Sequence, residues 1–259
     1  MNFLTKNFTY TKKPFGQFLD EIERGEKMYM RALSTSQPAE KATNLREDFP
    51  TIAADFQLPP ELAYAEAQMH SSPLRISGPV SMWLHYDVRV VWQCNARNMT
   101  DSALQVMANI LCQVRGKKRL LLYPPSDVTK LEFPPGASSS RLNVFDPDPI
   151  TQGLLSQVHP HDAVLKSGDV LFIPALWPHS ACPIDSTSIA VNVFFRNLSS
   201  GYAAGSKDVY GNRDLQAYEM GRRDVQKISK AFKDLPRDVG RFYLERLAGE
   251  LAEIAASWR

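Results

Sequence analysis

The chain has 259 residues, 44% hydrophobic and 22% charged, a balance typical of globular proteins that excludes disordered and fibrous classes. Thirty lysines and arginines against 28 acids give a formal net charge of +2, so a nucleic-acid partner must be held by a local patch and not by a global positive field. Eighteen prolines and 13 glycines favour strands and loops over a helical bundle.

In chain order, MNFLTKNFTYTKKPF alternates polar and apolar residues, and nowhere do about 18 apolar residues run together. No membrane partner and a cytoplasmic or nuclear location follow as expectations. Cys94, Cys112 and Cys182 are widely spaced and read as reduced thiols. Phe15, Phe18, Leu19 and Ile22 recur at helical spacing between Pro14 and Gly25. A strand over Lys27–Leu33 is expected next. Residues 34–72, rich in Pro, Ala, Ser and Glu, read as a cover with helical turns at Leu45–Phe49 and Pro60–Met69. The N-terminal cover as a whole is residues 1–73.

Between Leu74 and Ser199, short apolar runs punctuated by Gly, Pro, Asp and Ser predict a sheet-rich core. The strands expected are Leu74–Ser77, Met82–Val88, Met107–Val114, Arg119–Tyr123, Ala163–Lys166, Val170–Ile173 and Ser188–Arg196. Arg115-Gly116-Lys117 and Ser167-Gly168-Asp169 read as hairpin turns. Strands this short without long intervening helices point to a sandwich or barrel. From about residue 212 the period becomes 3.6, with a break at Asp234-Leu235-Pro236. Val239, Tyr243, Leu247, Leu251 and Ile254 form a second stripe apolar enough to need a partner surface, which predicts a homodimer through the C-terminal helices.

His85-Tyr86-Asp87 closes one strand, where residues i and i+2 share a side, and His179 follows the run Ser167 to Pro178 after another. Two histidines and a carboxylate form the facial triad of non-haem Fe(II) oxygenases, with positions left for co-substrate and oxygen. His-x-Asp alone is a weak signal; joined to Ser-Gly-Asp-Val-Leu-Phe-Ile-Pro and Trp-Pro-His it is a strong one. His159-Pro160-His161-Asp162 reads as a polar surface turn, and His70 has no companion ligand.

With these motifs the sequence resembles the JmjC-type branch of the cupin superfamily, the 2-oxoglutarate-dependent oxygenases. It is most similar there to the hydroxylases that make hydroxywybutosine in tRNA. The resemblance rests also on Met1–Phe8, Tyr29–Leu33, Leu74–Ser77, Trp83–Val88, Gln113–Arg119, Val191–Phe194 and Asp208–Asn212, in the same order over nearly the whole chain. It implies a double-stranded β-helix (jelly-roll) at 74–200 with flanking helices and a C-terminal helical region at 201–259. It implies His85, Asp87 and His179 as ligands of Fe(II), with 2-oxoglutarate and molecular oxygen as co-substrates. The resemblance further implies that Lys118 pairs with the distal carboxylate of 2-oxoglutarate, that Tyr29 donates a hydrogen bond to it, and that Asn109 borders the same pocket. Lys118 has independent support, because on a strand it shares a face with Leu120 and Leu122, and an inward lysine is costly without an anion.

The implied reaction is hydroxylation of the side chain on the modified guanosine beside the anticodon of tRNA-Phe. Arg75, Arg115, Lys117, Arg213, Arg222, Arg223, Lys227 and Lys230 are the candidate phosphate contacts. Two other readings stand beside it: a JmjC-type protein or peptide hydroxylase, and a cupin-like RNA-binding module with impaired catalysis. Against the family pattern the chain begins internally, Leu84 stands where a hydroxyl is common, and residues 89–105 read as an insertion, either a lid or retained intron sequence.

Overall fold

A computed structural model describes residues 7–30, 32–36, 41–92, 102–135, 137–195 and 213–258. Its strands are β1 (Met69–Ser71), β2 (Leu74–Ser77), β3 (Val88–Trp92), β4 (Ser102–Val106), β5 (Ala108–Arg115), β6 (Lys118–Leu122), β7 (His161–Leu165), β8 (Val170–Ile173), β9 (His179–Pro183) and β10 (Ser188–Phe195). Alternation along β5 and β10 sorts their side chains between two faces. Ile110, Cys112, Val191, Val193 and Phe195 join one core cluster, while Leu111 and Ala190 join another.

The first cluster lies between the larger antiparallel sheet, ordered β1-β10-β5-β8 with β2 also on β10, and the N-terminal cover. That cover includes α1 (Phe15–Glu23), α2 (Leu45–Asp48), α3 (Pro50–Ala53) and α4 (Ala63–Ala67), which contribute Phe18, Ile22, Leu45, Ala53 and Ala65. The second cluster joins this sheet to a smaller one, β7-β6-β9, through Leu120, Leu122, Leu165 and Ile173. A third, with Leu84, Leu121, Tyr123 and Leu131, seals the other face of the smaller sheet beneath residues 125–158, which include α5 (Pro149–Leu155). This is the expected jelly-roll sandwich with flanking helices.

Several expectations change in detail. Among the described residues of Lys27–Leu33 no strand forms; they make a bridge between Tyr29 and Ser77 and a bond from the Met30 amide to the Ile76 carbonyl (2.8 Å). The helical turn expected to reach Met69 stops at Ala67, and residues 69–71, His70 among them, pair with β10 as β1. Neither glycine turn closes a hairpin. Gly116 (φ +76°) and Gly168 (φ +93°) carry the chain from one sheet to the other, because β5 and β8 lie in the larger sheet and β6 and β7 in the smaller. Turn residues specify a backbone conformation, not which strands will pair.

Residues 82–86, expected to be a strand, run beside β9: the Met82 amide donates to the Ala181 carbonyl (2.8 Å). Their other edge meets residues 138–140, with the Ser140 amide on the Leu84 carbonyl (2.9 Å) and the Tyr86 amide on the Ser138 carbonyl (3.2 Å). Within the proposed insertion, β3 and β4 pair antiparallel from Val88↔Val106 to Trp92↔Ser102. Cys94 and residues 93–101 lie outside the described residues, as do Asp208–Asn212 and most of Met1–Phe8.

Residues 211–259 form a separate compact unit, with α6 (Arg213–Ala231) and α7 (Arg237–Ser257) flanking the expected break. The Phe232 and Tyr243 rings stack across it, 6.3 Å between centroids. Tyr243, Leu251 and Ile254 of the apolar stripe are exposed in the single chain. Among the described residues no helix is long and apolar enough to cross a membrane.

A Cβ on Gly116 would lie 2.2 Å from the Thr187 carbonyl oxygen, on a backbone already left-handed. Gly116→Ala should therefore lower the unfolding free energy by about 2 kcal/mol or more, read from the urea midpoint.

Candidate metal and anion site

Two backbone hydrogen bonds build the centre. The His85 amide donates to the His179 carbonyl (2.9 Å) and the His179 amide returns a bond to the His85 carbonyl (2.6 Å). This places the imidazoles 4.6 Å apart, centroid to centroid. Each ring Nδ1 lies 2.9 Å from the carbonyl two residues before it, Trp83 for His85 and Trp177 for His179. Since a carbonyl only accepts, each Nδ1 carries the proton and each Nε2 presents a lone pair.

Both Nε2 atoms face Asp87. His85 Nε2 lies 3.7 Å from its Oδ1, and His179 Nε2 3.6 Å from its Oδ2. The ligand atoms of all three residues lie within 4.8 Å of one another. Burial, reinforced by His179, pushes His85 down to about 4 against the pull of Asp87, so the ring is a neutral ligand at physiological pH. Imidazoles with both proton-bearing Nδ1 atoms turned away suit a divalent transition metal, and three protein donors leave positions open.

Asn109, expected to border the co-substrate pocket, holds the carboxylate: its Nδ2 donates to Asp87 Oδ2 (3.0 Å). Asn192 Nδ2 in turn donates to Asn109 Oδ1 (3.0 Å). Both asparagines are buried on neighbouring strands of the larger sheet. Asn192 received no role from the sequence; it alternates with Val191 and Val193, which face the first core cluster, so its side chain lies on the opposite face of β10.

Lys118 is 6% exposed on β6, on the same face as the buried Leu120 and Leu122. Burial pulls its ammonium down to about 8, and the charged group that adds to this is another cation, Arg75. Arg75 also acts on His85, lies over the Tyr29 ring at 5.8 Å, and sits on β2 beside the Tyr29–Ser77 bridge. It was expected among the phosphate contacts; its surroundings instead group it with Lys118 and Tyr29. Two cations in a partly buried site, one of them nearly without solvent, suit a dianionic ligand. The signal was present, since Arg75 alternates with the core residues Leu74 and Ile76.

The remaining candidates lie apart. Leu84 is fully buried in the third core cluster with Leu121 and Tyr123. His159 bonds Asp127 through its amide (2.7 Å) and ring (3.2 Å), and Asp162 chelates Arg119, so 159–162 form no metal cluster. Trp177 packs on the second core cluster and against His161 at 5.3 Å. Leu176 before it is left-handed (φ +64°) and 46% exposed, at the turn where the Trp177 amide donates to the Pro174 carbonyl (3.3 Å).

Residues 1–201 match the family model described as a cupin-like domain. The chain belongs to the cupin-like domain family. This cupin-like protein is 53% identical over 255 residues to tRNA wybutosine-synthesizing protein 4 of Aspergillus oryzae, a match covering 98% of this chain and 23% of that protein. It is 32% identical over 268 residues to human tRNA wybutosine-synthesizing protein 5, covering 99% of this chain and 78% of that protein. The chain thus spans less than a quarter of the length of such fungal relatives. Escherichia coli ribosomal oxygenase YcfD, solved with cobalt and succinic acid, is 15% identical with a TM-score of 0.31, covering 55% of this chain and 27% of that one, too slight a likeness to support inference.

Asn109→Ala leaves one Asp87 oxygen without its donor. If the three side chains hold a divalent metal, the change should weaken its binding about 10- to 100-fold, with a smaller loss for Asn192→Ala, both measured by anaerobic titration with Fe(II).

Proposed function

We propose that this cupin-like protein is an Fe(II)- and 2-oxoglutarate-dependent hydroxylase of the JmjC type acting on the wybutosine-type side chain of the modified guanosine beside the anticodon of tRNA-Phe. The observation that carries the reading is the convergence of His85, Asp87 and His179 within 4.8 Å. The buried Lys118 supports the co-substrate, and the names of the wybutosine-synthesizing relatives support the substrate.

His85, Asp87 and His179 would hold the metal, and Lys118, Arg75 and Tyr29 the distal carboxylate of 2-oxoglutarate. When bound, Fe(II) with 2-oxoglutarate and molecular oxygen supplies the oxidation, one oxygen atom ending in succinate and the other in a hydroxyl on the substrate. The protein's own work is orientation. The Trp83 and Trp177 carbonyls fix the imidazole tautomers, Asn109 fixes the carboxylate, and Lys118 anchors the co-substrate far from the ligands. On β6, Lys118 stands four residues from Leu122, the register partner of His179, a separation of about 13 Å along the strand.

The deciding experiment is nucleoside mass spectrometry of wybutosine-containing tRNA after incubation with protein, Fe(II) and 2-oxoglutarate. A gain of one oxygen atom, abolished by His85→Ala, is the expected result. Oxygen added to peptides and not to tRNA would favour the protein hydroxylase, and RNA binding without succinate release the impaired module.

Lys118 also dictates a pH dependence. Its ammonium has a depressed pKa of about 8 in the free protein, and an anion beside it raises that value. Affinity for 2-oxoglutarate should therefore be full below pH 8 and fall as pH rises from there toward the higher pKa of the complex. Lys118→Met should bind weakly and lose this slope, as calorimetric titration across the range would show.

A further inference from the structure

We infer that Tyr10, Phe8 and Trp83 form a stacking platform for an unpaired nucleobase, the one flanking the nucleoside that enters the metal site. The inference deepens the RNA reading above and rests on it. The three rings make a ladder ending on a metal-ligand residue. Tyr10 meets Phe8 edge-on at 5.5 Å, Phe8 stacks on Trp83 at 6.2 Å with planes 13° apart, and Trp83 lies 5.4 Å from the His85 imidazole. The inner rungs are half-buried, whereas Tyr10 is 69% exposed. With Tyr10 this far in solvent, the three rings carry an aromatic surface from the candidate metal site outward.

The chemistry around the outer rung selects the occupant. From Asn7 to Leu19 the sequence has no acid, and Lys12 follows Tyr10 at the same i, i+2 step that brings Phe8 and Tyr10 into contact. Lys12 is exposed, while Lys13 is paired with Glu21. Aromatic rings interleaved with cations suit single-stranded nucleic acid, whose bases stack on the rings while phosphates meet the charges. Consecutive loop nucleotides enter such a site together, one base on the platform and its neighbour turned toward the metal. Stacking is indifferent to base identity, so the platform sets position and leaves selection to the pocket.

The test uses the full chain and an RNA hairpin with the tRNA-Phe anticodon-arm sequence, carrying 2-aminopurine in its loop. Binding should quench the 2-aminopurine. Tyr10→Leu, which keeps apolar bulk but removes the π face, should raise the hairpin Kd about 5- to 150-fold, while Tyr10→Trp keeps or lowers it. Thermal melting of each variant reports folding. An unchanged Kd in Tyr10→Leu would overturn the platform, and the hydroxylase reading would survive if tRNA still gained oxygen. Loss of affinity in Tyr10→Leu without any oxygen transfer by the wild type would keep the platform and remove the hydroxylase. Binding of an aromatic peptide, with no binding of the hairpin, would overturn both.

Discussion

The reciprocal hydrogen bonds between His85 and His179 are the constraint on which the site depends. They join two segments remote in sequence into one sheet edge, and the imidazoles converge because their backbones are partners. Residues 138–140 close the other side of the first segment, so that His85 is held from both edges. The placement of the two imidazoles is thus set by backbone pairing at the edge of the smaller sheet, and that of the Asp87 carboxylate by asparagines of the larger one.

Inside the sandwich, polar and charged groups occupy places that an ordinary core gives to hydrocarbon. The arrangement is graded. Near the ligands stand Asp87 and two asparagines passing hydrogen bonds toward it, while Lys118 and Arg75 supply positive charge. A buried ammonium with a second cation near it destabilises a fold unless an anion compensates it. Gln113 belongs to the same polar interior: its Nε2 donates to the Arg115 carbonyl (2.7 Å) and to Ser188 Oγ (3.0 Å), while its buried Oε1 has no partner.

Much of this was legible in the residues. Strands Leu74–Ser77 and Val170–Ile173 follow from apolar runs with turn signals at their ends, and the i, i+2 rule correctly placed His85 and Asp87 together. Alternation with Leu120 and Leu122 allowed an inward Lys118, but the residues alone fitted a solvated hairpin shoulder as well, and the family resemblance decided between them. Other features were hidden for physical reasons. Gly116 and Gly168 announce turns, but whether a turn closes a hairpin or changes sheets depends on long-range packing. The span 82–86 is held by single bridges on both sides, with weak strand patterning of its own. Arg75 and Asn192 were readable from alternation between apolar neighbours, yet charge drew the first toward a surface role, and the second bears no signal beyond its place.

Leu176 shows what the site demands of its surroundings. A left-handed leucine costs about 1 kcal/mol or more relative to glycine, and here the side chain is half in solvent, so packing returns little. The turn it occupies delivers both the Trp177 carbonyl that orients His179 and the strand that carries it. A campaign to stabilise this protein by removing backbone strain would choose Leu176 first. It would then put the most flexible residue type at the hinge where the second histidine is aimed.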